Sequence, residues 1–200
     1  MTEFFDVVQS QRACRQFAAG PVPEELIDQV LTAATHAPSA ENTQPWVFVV
    51  VTDPATREAI GEITRKAWRG GGRAHSEGRL APSLMADVDQ GAEGGISAAP
   101  VVIVIAGDAS TGVESALPSS IFPAAQNLLL AANAVGLGSA LTTLTTMYAN
   151  ELREVVGLPG TVRPMAVVPL GWPARPLGPP RRQPIAAKAH RERYGNPWRV

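Results

Sequence analysis

Arginine side chains are the residues of this sequence best suited to binding a ligand. Arg12 and Arg15 lie three residues apart after the first predicted helix, and Arg181-Arg182 lies near the C-terminus. If the turn around residue 12 is helical, its two arginines share one face. Guanidinium groups bind phosphate through paired hydrogen bonds, so these clusters indicate an anion site. The alternative is that they are solvated surface charges, and the arginines alone do not decide between the two.

A second candidate is the polar segment Ala37–Trp46, which reads Ala-Pro-Ser-Ala-Glu-Asn-Thr-Gln-Pro-Trp. Its Ser, Asn and Gln side chains stand beside backbone N–H groups at the start of a predicted strand. Such groups could pair with the hydrogen-bonding edge of a flavin ring. The alternative is a polar turn between a helix and a strand, with Trp46 in the core. Composition alone does not separate these hypotheses.

The patterns of most catalytic classes are absent from the sequence. Gly136-Leu137-Gly138 lacks a third glycine and follows a predicted helix, so it is not a dinucleotide-binding turn. No phosphate loop and no Gly-x-Ser-x-Gly elbow occurs. His36, His75 and His190 lack ligand spacing, so no metal site is expected. Because nucleophiles and bases are so few, no catalytic side chain is predicted and a cofactor should supply the chemistry.

Composition narrows the classes of partner and compartment. A formal net charge of -1 leaves no basic field for nucleic acid or an anionic membrane surface. The single cysteine, Cys14, fits a reducing compartment, so we expect a cytoplasmic protein. The first residues are acidic rather than basic, which argues against a signal peptide, and no apolar run is long enough to span a bilayer. The length of 200 residues suits one domain over residues 1–200.

Hydrophobic periodicity predicts alternating helices and strands, which indicates an α/β or α+β fold. The predicted helices cover roughly residues 3–11, 24–37, 54–68, 121–135, 150–156 and 185–193. The predicted strands cover 46–51, 100–106 and 165–170, with a short fourth strand ending at 143. The first two strands should be buried, and helix 121–135 is apolar nearly all round, which predicts full burial.

Two segments give weak signals. Residues 69–95 contain Gly70-Gly71-Gly72 and a mixed polar stretch, which predict a mobile loop that could act as a lid. Substrate identity would then depend on this segment. Residues 173–200 are rich in proline and arginine and predict an extended tail that packs on another surface.

Several motifs resemble those of the nitroreductase family, and together they cover most of the chain. The run Ala37–Trp46 is similar to the family's Ala-Pro-Ser-x-x-Asn-x-Gln-Pro-Trp signature, which is long and specific. Five other segments are similar to family motifs: 11–17 to the opening Arg-Arg-Ser-x-Arg-x-Phe, 126–132 and 136–139 to the central helix and its turn, 169–173 to a Gly-aromatic-Pro strand end, and 182–184 to a late Arg-x-Pro. Gln11 and Ala13 depart from this pattern, since they replace an Arg and a Ser.

The resemblance implies an α+β fold, an α/β/α sandwich with a mixed sheet flanked by helices, and a homodimer whose chains exchange their ends. The tail 173–200 would pack on the partner subunit, and one FMN would lie in each of two interface sites. The implied FMN contacts are Arg12, Arg15 and Arg182 to the phosphate, Pro38, Ser39, Ala40 and Asn42 from the other chain, and Ala13, Ser120, Thr142 and Thr143 elsewhere around the cofactor.

The resemblance also implies an FMN-dependent oxidoreductase. It would pass a hydride from NADH or NADPH, via the flavin, to a small planar acceptor such as a nitroaromatic or a quinone. Because no dinucleotide-binding turn exists, both substrates should use one flavin face in turn, which is a ping-pong mechanism. Two alternatives stay open: a flavin-fragmenting enzyme like the benzimidazole synthases, and a non-catalytic flavin-binding protein. The changes at Gln11 and Ala13 motivate the second alternative.

Overall fold

A computed structural model describes residues 3–198 of the chain. The α-helices are α1 (Phe4–Ser10), α2 (Glu24–Thr35), α3 (Pro54–Ala67), α4 (Arg73–Ser76), α5 (Pro82–Gln90), α6 (Ile96–Ala98), α7 (Leu117–Ala134) and α8 (Ala149–Val156). The strands are β1 (Trp46–Val51), β2 (Val101–Asp108), β3 (Gly138–Ser139) and β4 (Val162–Gly171). Short helical turns cover Ala40–Asn42, Trp68–Gly72, Gly91–Gly95, Glu114–Ala116, Thr145–Tyr148 and Ile185–Ala187.

Local signals explain where several helices begin and end. Asp53 caps α3 by accepting a hydrogen bond from the backbone N–H of Thr56 at 2.8 Å, and Pro54 occupies the first turn, where its missing N–H costs nothing. The end of α8 is set by Gly157, whose φ of 67° lies in the left-handed region that glycine adopts without a steric penalty.

The four strands form one sheet in the order β1-β2-β4-β3, and every neighbouring pair is antiparallel. Among residues 3–198, parallel pairing is limited to an isolated bridge between Ala13 and Ser139. The central strand β2 is buried almost throughout, and alternate residues face opposite sides of the sheet.

Helices cover both faces of the sheet. On one face Ile103 and Ile105 pack with α2 and α7, through residues such as Val30 and Leu128. On the other face Val102 and Val104 pack with residues of α3, α6 and α8. The molecule therefore has three layers, which confirms the predicted α+β sandwich of a sheet flanked by helices, but the sheet of the described residues is antiparallel rather than mixed.

The two ends of the sheet carry different connections. Val101 in β2 lies opposite Leu170, which also pairs with Ser139, so we call this the β3 end. At the other end Asp108 lies opposite Val162, and its N–H donates to the carbonyl of Pro45 at 2.7 Å. We call it the loop end, because the loop 37–45 joins β1 there. Strand residues rise about 3.3 Å each, so the seven steps from Val101 to Asp108 separate the ends by roughly 23 Å.

The predicted positions of the main elements are confirmed, but two burial predictions are wrong. Strand β1 is half-buried rather than buried, because it lies at the edge of the sheet, and Val50 is 37% exposed. Helix α7 is not buried all round, since Phe122 is also 37% exposed and Gln126 and Ala134 face outward. One face of the most apolar helix is therefore open to solvent in the single chain.

The loop predicted over residues 69–95 is wrong in secondary structure. Most of this segment is helical, in α4, α5 and the turns on either side of them. The glycines of this segment interrupt the hydrophobic periodicity that would indicate a helix. Gly91 and Gly95 are required by packing, because a side chain at either position would collide with Arg15. Two smaller corrections concern β3, which is only two residues long and does not reach 143, and the predicted helix 185–193, which is a single turn, Ile185–Ala187. No helix among residues 3–198 is long and apolar enough to cross a membrane.

Candidate functional site

The segment around Arg12 is extended rather than helical, so a helical turn does not bring Arg12 and Arg15 to one face. Ala13 bridges Ser139, and the N–H of Cys14 donates to the Ser139 carbonyl at 2.9 Å. Gly138 is required for this approach, since a Cβ there would lie 2.6 Å from the Cys14 sulfur. The segment thus lies against the β3 end of the sheet.

Three arginines nevertheless border one depression at the β3 end. We call it the Arg cleft, and its lining residues are Arg12, Ala13, Cys14, Arg15, Gln16, Asp87, Arg175 and Leu177. Arg15 Nη1 donates to Asp87 Oδ2 at 2.7 Å, with both side chains about one quarter exposed (24% and 25%). Arg12 Nη1 donates to the carbonyl of Gly178 at 3.2 Å. Asp87 is the one carboxylate of the lining, so the cleft carries an excess of positive charge.

Cys14 lies at the floor of the Arg cleft and is 1% exposed. Burial, the largest influence, raises the pKa of its thiol, a backbone hydrogen bond with Gln16 lowers it, Asp87 raises it, and Arg15 and Arg175 lower it, with a net shift upward. The buried thiol thus stays protonated at neutral pH and donates to the Gln16 carbonyl at 3.2 Å. This supports the interpretation of Cys14 as a packed side chain rather than a reactive thiolate.

Two further depressions adjoin the Arg cleft along the same extended segment. On one side a small polar cleft shares Arg12 and Leu177 with it and is also lined by Ser10, Gln11 and Ser139. On the other side a mainly apolar cavity of about 90 Å³ shares Arg15 and is lined by Thr64, Val88, Gly91, Ala92, Gly95, Ile96, Ala140, Leu141, Thr142, Leu144 and Pro169. Polar donors, cations and an apolar cavity therefore follow one another along residues 10–15.

The helical segment 82–96 is fixed to Arg15 and its neighbour. A Cβ at Gly91 would lie 2.5 Å from Arg15 Cδ, and one at Gly95 would lie 2.7 Å from the Arg15 carbonyl oxygen. The side chain of Gln16 also donates to Gln90 at 2.6 Å. This segment therefore both encloses Arg15, through Gly91 and Gly95, and pairs with it, through Asp87.

The loop 37–45 lies at the other end of the sheet and is shaped by unusual backbone angles. Glu41, Asn42 and Gln44 all have positive φ, at 52°, 56° and 50°. Side chains rarely adopt this region without a structural reason. Ser39 Oγ accepts from the N–H of Gln44 at 3.0 Å, which holds the two sides of the loop together.

Ser120 links the loop to the start of α7. It is 1% exposed, and its Oγ accepts from the N–H of Ala40 at 3.1 Å. Gln44 Nε2 donates to Asn42 Oδ1 at 3.4 Å, so the Gln44 side chain contacts another residue of the same loop. An open depression beside them is lined by Ala40, Glu41, Thr43, Pro45, Gly112, Val113, Ala116, Leu117 and Ser120.

The structure divides the predicted site residues into two groups. Arg12, Ala13 and Arg15 meet at the β3 end, whereas Pro38, Ser39, Ala40, Asn42 and Ser120 lie at the loop end. Thr142 lies between the ends, where its N–H and carbonyl bond to Val167 at 2.9 Å, so that amide is already occupied. Thr143 is exposed, and its carbonyl accepts from the N–H of Thr146.

Arg182 does not join either group, while an unpredicted arginine does. Arg182 Nη1 donates to the carbonyl of Arg181 at 3.1 Å, and Arg182 is not among the residues that line the Arg cleft. Arg175 lines the cleft instead. It comes from the proline-rich tail, and its only sequence signal was a position two residues after the Gly-Trp-Pro motif.

The donor set at the β3 end fits FMN better than it fits a metal. Three guanidinium groups facing one carboxylate suit a phosphate dianion, and the adjoining apolar cavity offers surfaces on which part of a flat ring could pack. Among residues 3–198 no cluster of three His, Cys, Asp or Glu side chains is placed to hold a metal ion.

Comparison with known proteins gives a consistent result. The model of the nitroreductase family matches residues 8–172. A protein named NADH dehydrogenase from Thermus thermophilus is 32% identical over 193 residues, covering 88% of this chain and 89% of that protein. Iodotyrosine deiodinase 1 from Rattus norvegicus is 31% identical over 183 residues, covering 86% of this chain and 63% of that protein.

A solved structure shares the fold. Oxidised iodotyrosine deiodinase bound to FMN and 3-iodo-L-tyrosine superposes with a TM-score of 0.75, covering 91% of this chain and 96% of that chain. The two sequences are 24% identical, so this likeness concerns the arrangement of helices and strands.

Proposed function

Since this chain belongs to the nitroreductase family, we propose that it is an FMN-dependent oxidoreductase that uses NADH or NADPH to reduce a planar acceptor such as a nitroaromatic or a quinone. The chain resembles a protein named NADH dehydrogenase along most of its length, and a structural neighbour carries FMN. The lone, buried Cys14 suits a reducing cytoplasm, where we place the protein.

The observation that carries this proposal is the separation of the two groups of site residues. Both fit a flavin cofactor, one through arginines and the other through a polar, strained loop, yet roughly 23 Å of sheet lies between them. One chain therefore cannot bring both groups to a single FMN. In a two-fold dimer each group meets the other group of the partner, which makes two equal sites.

Exposed apolar surface supports the homodimer. A groove of about 570 Å³ between α1, α2 and α7 is lined by apolar side chains that include Phe4, Val7 and Leu130. In the tail, Ile185 is 65% exposed and Trp198 is 41% exposed. Large apolar groups on an extended arm gain stability only when another surface covers them. An exchanged interface of this kind should bury more than about 2,000 Å².

Within each site the protein holds and orients the cofactor. Arg12 and Arg15 bind the phosphate, and Ala13 with the polar cleft beside it faces the chain that joins phosphate to ring. From the partner, the loop residues Pro38, Ser39, Ala40 and Asn42 face the ring, with Ser120 holding that loop in position. Thr142 and Thr143 stay proposed neighbours of the ring. Bound FMN supplies the acceptance and donation of a hydride, so no protein acid or base is required.

The two substrates use one open face of the ring in turn. The chain has no dinucleotide-binding turn, so the nicotinamide must stack in the same place as the acceptor. Segment 82–96 lines the apolar cavity, and its movement would open the space above the ring. Residues 69–95 would then act as a lid.

The decisive experiment is to purify the protein, record its visible spectrum and identify any flavin released by boiling. We expect a yellow protein that releases FMN, and initial rates with NADH or NADPH against a nitroaromatic that give parallel double-reciprocal lines. A colourless protein that takes up no added FMN would overturn the proposal. Intersecting lines would reject the shared face alone, and bound FMN without turnover would favour a non-catalytic flavin protein.

A second candidate is reductive removal of a halogen from an aromatic ring. The observation that favours it is the 31% identity with rat iodotyrosine deiodinase 1, close to the 32% identity with the Thermus protein. Turnover of 3-iodo-L-tyrosine by the reduced protein, with release of iodide, would support this candidate. Rapid reduction of nitroaromatics without iodide release would reject it.

A further inference from the structure

The tail brings Arg175 to the Arg cleft through a regular backbone connection. The N–H of Ala18 donates to the carbonyl of Trp172 at 2.8 Å, and the N–H of Ala174 donates to the carbonyl of Gln16 at 3.0 Å. These bonds pair the tail with the segment that carries Arg15, in the manner of two antiparallel strands. The position of Arg175 beside the cleft is thus fixed by the backbone on both sides of Pro173.

Arg182 has no comparable placement. Its side chain turns back to the carbonyl of the preceding residue, and it is exposed. Six residues of proline-rich chain separate it from Arg175. Within the described residues the cleft therefore obtains its third guanidinium from Arg175.

We propose that Arg175 is the third phosphate-binding residue of the Arg cleft, and that Asp87 is the carboxylate that the phosphate displaces from Arg15. This inference rests on the proposed function. Arg15 is held by Asp87 at 2.7 Å but is 24% exposed, so an incoming anion can reach its guanidinium. A phosphate dianion in the cleft meets three cations and is repelled by one carboxylate, and it takes the hydrogen bond of Arg15 that Asp87 gives up.

The test is a titration of flavin-free protein with FMN and, separately, with riboflavin, which lacks the phosphate, followed by quenching of flavin fluorescence. Arg175→Gln should weaken FMN binding about tenfold or more, with little change for riboflavin. Asp87→Asn should tighten FMN binding severalfold and again spare riboflavin. Arg182→Gln should change either affinity less than about threefold. Arg163→Gln, exposed at the loop end, is the matched control.

The inference is overturned if Arg182→Gln weakens FMN binding more than Arg175→Gln does, or if Arg175→Gln weakens FMN and riboflavin equally. Circular dichroism and the thermal midpoint identify any variant that has lost its fold, and Arg175→Lys then tests whether charge without the paired geometry restores part of the affinity.

Inorganic phosphate separates this inference from the proposed function. We expect phosphate to raise the thermal midpoint of the wild-type protein, and to raise that of Arg175→Gln by a smaller amount. If FMN does not bind but phosphate acts in this way, the proposed function fails and the Arg cleft stands as an anion site. If phosphate protects both proteins equally or neither, the role of Arg175 is rejected.

Discussion

At the β3 end the candidate site is built from charged side chains that distant segments bring together, whereas at the loop end it is built from the backbone of one short segment. Arg15 depends on Asp87 and on the tail beside Gln16, which lie 72 and 158 residues further along the chain. The loop 37–45 depends mostly on itself, with Ser39 bonded to Gln44, and on a single distant contact with Ser120. A change at one end should therefore act through charge and packing, and a change at the other through backbone conformation.

The strongest test of this comparison combines the two ends in different chains. One variant carries Arg12→Ala and Arg15→Ala, and the other carries Ser39→Ala and Asn42→Val. Each alone should purify almost free of FMN. When the two are co-expressed, each mixed dimer contains one intact site, so about one quarter of the wild-type flavin content should return.

That outcome follows only if the ends of different chains meet in each site. Recovery no greater than the average of the two separate variants would show that each site lies within one chain, or that the loop end does not contribute. Light scattering on the same samples checks that the variants are dimers, because a monomeric mixture could not exchange its ends.

The next largest effect concerns Arg15 alone. Arg15→Ala should weaken FMN binding by about 1.5–3 kcal/mol, the range for hydrogen bonds to a charged group. Arg163→Ala is the control, because this arginine lies at the loop end, its side chain is 65% exposed and it pairs with the exposed Glu114 at 3.4 Å. Arg57 would be a poor control, since it donates to the carbonyl of Ser97 at 2.9 Å and supports the fold. Equal FMN affinity of Arg15→Ala and the wild type would make Arg15 a structural residue of the cleft.

Packing at the β3 end can be tested with two neighbouring glycines. Gly95→Ala places a methyl group 2.7 Å from the Arg15 carbonyl oxygen, while Gly94→Ala meets nothing within 4 Å. We expect Gly95→Ala to lower the free energy of unfolding by about 1–3 kcal/mol, as overpacking does. Gly94→Ala should leave it unchanged or raise it by up to about 1 kcal/mol.

Urea unfolding of the two variants measures this difference. Similar stabilities would mean that segment 82–96 does not stay against Arg15 in solution, and would favour the mobile lid that the sequence predicts for residues 69–95.

The contrast between the ends also explains how much the sequence could predict. The loop end could be predicted from the sequence because its motif is contiguous. Residues from Pro38 to Gln44 hydrogen-bond mainly to one another. The hydrophobic runs likewise predicted β2, β4 and α7 close to their observed bounds, since each forms its pattern locally. The order of the strands and the position of β1 at the sheet edge are properties of the assembled sheet, which no single run encodes.

The residues that surround Arg15 at the β3 end could not be predicted in the same way. Asp87 and Arg175 reach Arg15 only through the packing of α5 and the pairing of the tail with residues 16–18. Gly70-Gly71-Gly72 and the polar stretch after them suggested a loop over residues 69–95, and the sequence gives no sign that Gly91 and Gly95 in the same segment serve close packing against Arg15. Arg182 was predicted from its motif position alone, whereas Arg175, which lines the Arg cleft in the single chain, carried no motif of its own.

A smaller effect should come from the backbone strain of the loop end. Asn42 has a φ of 56°, which asparagine tolerates and a β-branched residue does not. Asn42→Val should lower the free energy of unfolding by about 1–2 kcal/mol relative to Asn42→Gly, the usual cost of this conformation. Guanidinium chloride unfolding of the two variants measures it. Equal stabilities would mean that the positive φ is not kept in solution and that the loop end is less fixed than the β3 end.

The smallest effect is a pH dependence at the loop end. Hydrogen bonds to Asp108 Oδ1 from the hydroxyl of Ser110 at 2.7 Å and from its N–H at 2.9 Å hold the pKa of this carboxyl below its ordinary value. A carboxyl with a lowered pKa in the folded state stabilises the fold above the ordinary pKa of aspartate, and this contribution is lost as the pH falls through the lowered value.

Asp108→Asn should therefore be less stable than the wild type at neutral pH, and the difference in stability should narrow in strongly acidic buffer. Denaturant midpoints at both pH values provide the measurement. Because Asp108 is only half-buried and its bonds are local, the gap should be smaller than any effect expected from Arg15 or Gly95. A gap that does not change with pH would assign the effect of the substitution to shape rather than charge, leaving the backbone as the main determinant of the loop end.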